Sequence, residues 1–222
     1  MTIDETLVPA SVAGGGAPIW SAATLPWRLA EIAAAGALAG VLMILLWLEP
    51  RPDLSAAAAH PFFWIKAAYP AGVAGCAMVA ATWLARARPG GALALALAGA
   101  GACAMLIAAA VQASSMTSTA LAALYWPSGA TCLGDILVIG APMLALAVAG
   151  LRHVDLERPA ATGFACGVFC GGVAGTIDGL HCWQETYAFV GVWFTLAMLV
   201  SGGIGAGAIK LLARHRQRFL AE

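Results

Sequence analysis

"TGFACGVFCGGVAGTIDGLHCWQETYAFVGVWFTLAMLVSGGIGAGAI" fills residues 162–209. Two apolar runs flank one polar island, and an acid, a histidine, a thiol and a second acid share that island as Asp178, His181, Cys182 and Glu185. Each run is too long for a strand and lacks the alternation of a barrel, so each reads as a helix. A helix crosses a bilayer with about 20 apolar residues. The whole chain supports that scale. Of its 222 residues 62% are hydrophobic and 10% charged, and the mean hydropathy is +0.88. A soluble domain carries about 25% charged residues, so this composition belongs to the bilayer. The formal net charge is zero, which predicts no direct contact with nucleic acid.

Working outward, six windows have spanning length: 29–48, 62–85, 92–112, 130–151, 162–180 and 187–209. The breaks between them carry turn residues, as in "LEPRPDL", "ARARPGG" and "RHVDLERP". The expected fold is an all-α membrane protein of six transmembrane helices. It divides into a cytoplasmic segment 1–28, a transmembrane domain 29–209 and a basic tail 210–222.

Orientation follows from the cations. One set of helix ends holds nine: Arg28, Arg86, Arg88, Arg152, Arg158, Lys210, Arg214, Arg216 and Arg218. The other set holds two, Arg51 and Lys66. Positive ends stay in the cytoplasm, so both termini are expected there and the polar island faces outward. Asp4 and Glu5 stand where a cleavable leader would carry basic residues, which predicts an uncleaved first helix.

That orientation gives Cys132, at the start of the fourth span, the same outer rim as Cys182. Three readings of the rim follow from the residues. The two thiols are unpaired bystanders, or they form a disulfide that locks two helix ends, or they bind a metal. Thiolate, imidazole and carboxylate all suit soft or borderline ions, so His181, Glu185, Asp178 and Asp135 join Cys132 and Cys182 as candidate ligands. Cys76, Cys103, Cys166 and Cys170 fall inside spans and read as packing residues. In the fifth span Gly163, Gly167, Gly171, Gly175 and Gly179 recur every fourth residue, which predicts close approach of another helix.

Three longer stretches carry a resemblance. "RPDL", then "HPFFWIKAAYP", then "ARPG" resemble the first hairpin of the NrsF-type membrane anti-sigma factors. "CLGDILVIGAPMLALAVAGLR" is similar to that family's fourth span, with its cysteine at the outer end. "LHCWQETYAFVGVWFTLAM" is similar to its last loop and span, where an HC pair, a glutamate at Glu185 and a tryptophan at Trp193 recur. Trp183 departs from the pattern, since the family usually carries proline there.

The resemblance implies a regulator of the bacterial inner membrane and not an enzyme. It would hold an extracytoplasmic-function sigma factor on its cytoplasmic face and release it on metal or redox stress. Cys132 and Cys182 would be the sensing residues. No cofactor is obligatory on this reading, and a thiophilic metal ion enters as signal. Asp4, Glu5, Leu7 and Val8 suffice for one short amphipathic turn and are the candidates for partner contact. A small metal or solute carrier is the alternative, and a membrane thiol oxidoreductase comes third. The carrier is poor in intramembrane charges, and the oxidoreductase lacks a C-x-x-C pair.

Overall fold

A computed structural model describes residues 20–125, 128–152 and 154–219. Every regular element among them is a helix. α1 spans Leu25–Met43 and runs into a π-helical turn, Ile44–Leu48. α2 is a short turn at Leu54–Ala57, and α3 spans Pro61–Leu84. α4 covers Gly91–Ser114, α5 is the short Ser118–Tyr125, and α6 covers Ser128–Leu151. α7 is Pro159–Asp178 and α8 is Tyr187–Phe219. Among the described residues six helices are long and apolar enough to cross a membrane, the first counted through the π turn to Leu48.

Local chemistry explains several boundaries. Pro61 and Pro159 open α3 and α7, where a missing N–H costs nothing. Gly90 precedes α4 at φ 101, a backbone angle that L side chains avoid. Pro70 and Pro142 lie inside α3 and α6. A bilayer span tolerates such prolines when neighbouring helices enclose them. α8 does not stop where its apolar run ends near residue 209, since it continues through Lys210 and Arg214 to Phe219. Good helix formers keep a helix going past the hydrocarbon, so this part of the expected basic tail is helical.

α7 is the axis of the bundle. Residues 165–172 are buried without a break, although helix faces normally alternate. Its glycines explain the enclosure. A methyl group on Gly163 would strike the Gly205 carbonyl of α8, and one on Gly167 would strike the Ser201 carbonyl. Gly205 returns the contact to Gly163. On the opposite side Gly172 lies against the Pro70 carbonyl and Ala74 of α3. Lipid gives no hydrophobic drive between helices, so this backbone-to-backbone fit holds α7 against both neighbours. Cys166 and Cys170 are fully buried in the same helix, while Cys76 is half-buried and Cys103 faces outward. Gly167→Val should therefore destabilise the bundle by more than the about 1–3 kcal/mol of ordinary overpacking, because a carbonyl cannot turn aside. Gly203→Ala, whose methyl meets nothing within 4 Å, should leave it unchanged. Thermal unfolding of the detergent-solubilised protein compares the two.

The helices alternate in direction, so the bundle has two distinct ends. One collects the ends of α3, α6 and α8 and the starts of α1, α4 and α7. There Arg86 Nε donates to the Ala22 carbonyl at 2.6 Å, and Trp20 packs on Gly150. At the other end lie the π turn, the loop 49–60 and the loop 179–186 between α7 and α8. The latter is the cysteine end. The Gln112 side-chain carbonyl caps it from α4, accepting from the Ala188 N–H of α8 at 2.9 Å.

Candidate functional site: the cysteine end

Three helices and one loop converge on the cysteine end. α6 begins there and carries Cys132 in its second turn. α7 ends there on Asp178, and the next loop carries Cys182. The turn is fixed by backbone bonds to the Asp178 carbonyl, from the His181 N–H at 2.9 Å and the Cys182 N–H at 2.8 Å. Cys132, Cys182 and Asp178 are all buried, and their sulfur and oxygen atoms lie within 4.8 Å of one another. The Cys132 thiol donates to Asp178 Oδ2 at 3.4 Å. Asp178 Oδ1 is buried with no hydrogen-bond partner. A buried carboxylate oxygen left unpaired is costly, so this group is incomplete as a purely structural unit. A cavity of about 280 Å³ opens beside it, with Asp135 and His181 among its lining residues.

Lys66 enters from α3 and is 1% exposed, the largest wholly buried side chain of the protein's described core. Its ammonium donates to the carbonyls of Cys182 at 2.5 Å and Gln184 at 3.1 Å. It also stands 5.9 Å from the centre of the Phe194 ring. The Cys182 thiol is drawn below the ordinary thiol range. The adjacent Cys132 side chain contributes most, and the Lys66 charge and the Gln184 backbone add to it against the opposing cost of burial. A thiol drawn down in this way yields more of the thiolate, the form that is both nucleophile and metal ligand.

The remaining polar residues have other partners. His181 Nδ1 donates to the Glu49 carbonyl at 2.6 Å. Glu185 accepts from Arg51 at 2.7 Å, and Arg51 grips Asp53 through two bonds of 2.8 Å. Arg51 lies 5.9 Å from the centre of the Trp183 ring, and its N–H donates to the Leu180 carbonyl at 3.3 Å. Of the six residues anticipated on this rim, the fold brings three together: Cys132, Cys182 and Asp178. His181 and Glu185 tie the loop to residues 49–53 instead, and Asp135 stays half-buried on the cavity wall. Asp4, Glu5, Leu7 and Val8 lie outside the described residues. Lys66 and Arg51 were visible in the sequence only as the two cations of a rim. A lysine inside "FFWIKAAYP" is itself a signal, since an ionisable residue in an apolar span marks a functional site by default.

Residues 15–215 match the family model described as negative regulator of sigma F. The chain belongs to that family. Over 192 residues it is 40% identical to the anti-sigma-F factor NrsF of Caulobacter vibrioides, covering 85% of this chain and 89% of that one. It is 29% identical over 204 residues to the probable anti-sigma-F factor NrsF of Azospira oryzae, covering 90% and 94%. No solved structure matches. NrsF membership makes the chain an anti-sigma factor, a regulator of transcription. The NrsF match takes in all six candidate spans and every residue of the cysteine end.

Proposed function

We propose that this chain is a multi-pass anti-sigma factor of the bacterial inner membrane. It sequesters an extracytoplasmic-function sigma factor at the cytoplasmic face and releases it when Cys132 and Cys182 meet a thiophilic metal or an oxidant. One observation carries the reading: two buried thiols and a carboxylate share one site, at the end of the bundle opposite most of the basic residues. Regulation of a sigma factor from the membrane needs a signal received on one side and an effect on the other, and the two ends of this bundle differ in that sense. Positive ends face the cytoplasm, which directs the cysteine end outward.

The donor set fits a soft divalent ion. Cys132 and Cys182 would supply sulfur and Asp178 the oxygen that now lacks a partner. An oxidant reaches the same end by another route. The two thiols lose two protons and two electrons to an acceptor such as a diazene, which becomes a hydrazine, and the sulfurs join. Either event draws α6 and the α7–α8 loop together.

Purification of the tagged protein from detergent extract, with identification of what it retains, tests the assignment. A sigma factor of the extracytoplasmic-function class is expected, and its absence from a stably folded preparation would remove the reading. Topology gives a second test. Reporter fusions at residue 120 and after Glu222 should report periplasm and cytoplasm respectively, and the same side for both would reverse the orientation.

A further inference from the structure

We propose that the π-wound end of α1 carries the state of Cys182 across the bundle, and that His181 and Arg51 are the latch that holds it. The inference rests on the sensing role proposed for Cys182 and adds the path by which its signal leaves the site.

Four observations meet at this point. The α-helical winding of α1 gives way to a π turn at Ile44–Leu48, which accommodates an extra residue. Single π turns of this kind are rare and frequent at functional sites. The next residue, Glu49, adopts φ 62 and ψ 127. A residue with a side chain rarely takes that conformation, and it persists only where the surroundings impose it. Glu49 is exposed, so no packing of its own side chain imposes it. Pro50 accounts for the extended ψ, and the neighbours of Cys182 hold the positive φ. His181 bonds the Glu49 carbonyl, the Arg51 N–H bonds the Leu180 carbonyl, and the Arg51 guanidinium bonds Glu185. Arg51 is 5% exposed, so this clasp is not a loose surface pair.

The geometry makes Cys182 and the end of α1 move together. His181 is the chain neighbour of Cys182, and the two share the Asp178 carbonyl. A new bond at the Cys182 sulfur pulls on the turn that aims the His181 ring. With the ring gone, Glu49 loses the one bond made directly to it, and only the Arg51 clasp and Pro50 still restrain its angle. The π turn can then rewind as α-helix, advancing α1 by about one residue, about 1.5 Å along its axis. α1 has little slack to absorb such a step. Gly36 sits on Met143 of α6, and Gly40 sits on Ile139 of α6 and Ile177 of α7. Packed interfaces of this kind switch between arrangements instead of deforming smoothly. The step therefore arrives at the far end of α1, where Arg86 holds the Ala22 carbonyl.

Two substitutions push the latch in opposite directions in the full-length protein, in cells carrying its partner and a sigma-dependent reporter. His181→Ala opens it, and the reporter should turn on with no signal added. If His181 served only as a metal ligand, the same variant would repress normally and lose its response to metal, the opposite outcome. Glu49→Gly removes the strain while keeping the carbonyl. It should repress normally and need an about tenfold higher dose of cadmium or diamide to respond. A membrane-inserted His181→Ala that represses and responds as wild type overturns the latch. Should that variant fail to accumulate, a wild-type dose response from Glu49→Gly overturns it. Wild-type protein that answers neither agent overturns the cysteine reading and the latch together. Responsive wild type with unchanged variants overturns the latch alone.

Discussion

Cys182→Ser should repress as strongly as wild type and show no response to cadmium or diamide. Cys132→Ser should behave identically, and the double variant should be no worse than either single one. The lack of additivity follows from the site, because residues that act as one unit lose their function with the first removal. Serine keeps the size of the side chain, so the surrounding helices have no reason to shift. Its hydroxyl can still donate to Asp178, the bond that Cys132 makes at 3.4 Å. What serine cannot do is ligate a soft ion or join another sulfur. Reporter activity against dose of metal and oxidant checks this. A full response from either single variant would make the thiols structural.

Lys66→Met should have the second large effect. Methionine fills most of the volume but removes the donors that hold the Cys182 and Gln184 carbonyls. Hydrogen bonds from a charged group contribute about 1.5–3 kcal/mol each, so loss of both should loosen the 179–186 loop severely. The change should also show in thiol chemistry. The Cys182 thiol has its titration midpoint drawn below the ordinary thiol range, by Cys132 first and by the Lys66 charge after it. Only the thiolate reacts, so alkylation is fast above that midpoint and fades as the pH falls through it. Removing the cation raises the midpoint. At a pH below both midpoints, alkylation should slow about tenfold for each pH unit of that rise. The rate of Cys182 alkylation from pH 5 to 9, read at its own peptide in a protein that keeps Cys132, gives the comparison, and an unmoved midpoint would remove Lys66 from the site. Lys66→Arg, which keeps charge and donors, should restore most of the low midpoint.

The six spans were legible because length and hydropathy alone decide them, and the windows differ from the helices by a few residues at most ends. The largest gap, at the end of α8, has a simple cause. Hydropathy reports where the hydrocarbon stops, and the α8 backbone continues helical through Lys210 and Arg214. The convergence of Cys132 and Cys182 on one end was legible through the alternation of helix direction. Their meeting with Asp178, to the exclusion of His181 and Glu185, was not. The partners that claim those two residues, the Glu49 carbonyl and Arg51, lie 132 and 134 positions away in the chain. No spacing rule reaches that far. The π turn left no trace either, since "ILLWL" reads as one more apolar stretch of the first span.

The contact of α7 with α8 through bare backbone has a consequence for inheritance. Side chains that pack against each other can drift in concert, one growing as the other shrinks. Gly163 and Gly167 against Gly205 and Ser201 have no such freedom, because a main-chain carbonyl cannot mutate away. The hairpin 159–209 should therefore pass between relatives as a cassette. Chimeras that exchange it whole should keep the α7–α8 contact intact, while Cys132 and Lys66 of the recipient still complete the site. A crossover placed between α7 and α8 should succeed only where both parents kept the same small residues, which makes this hairpin a natural unit of exchange.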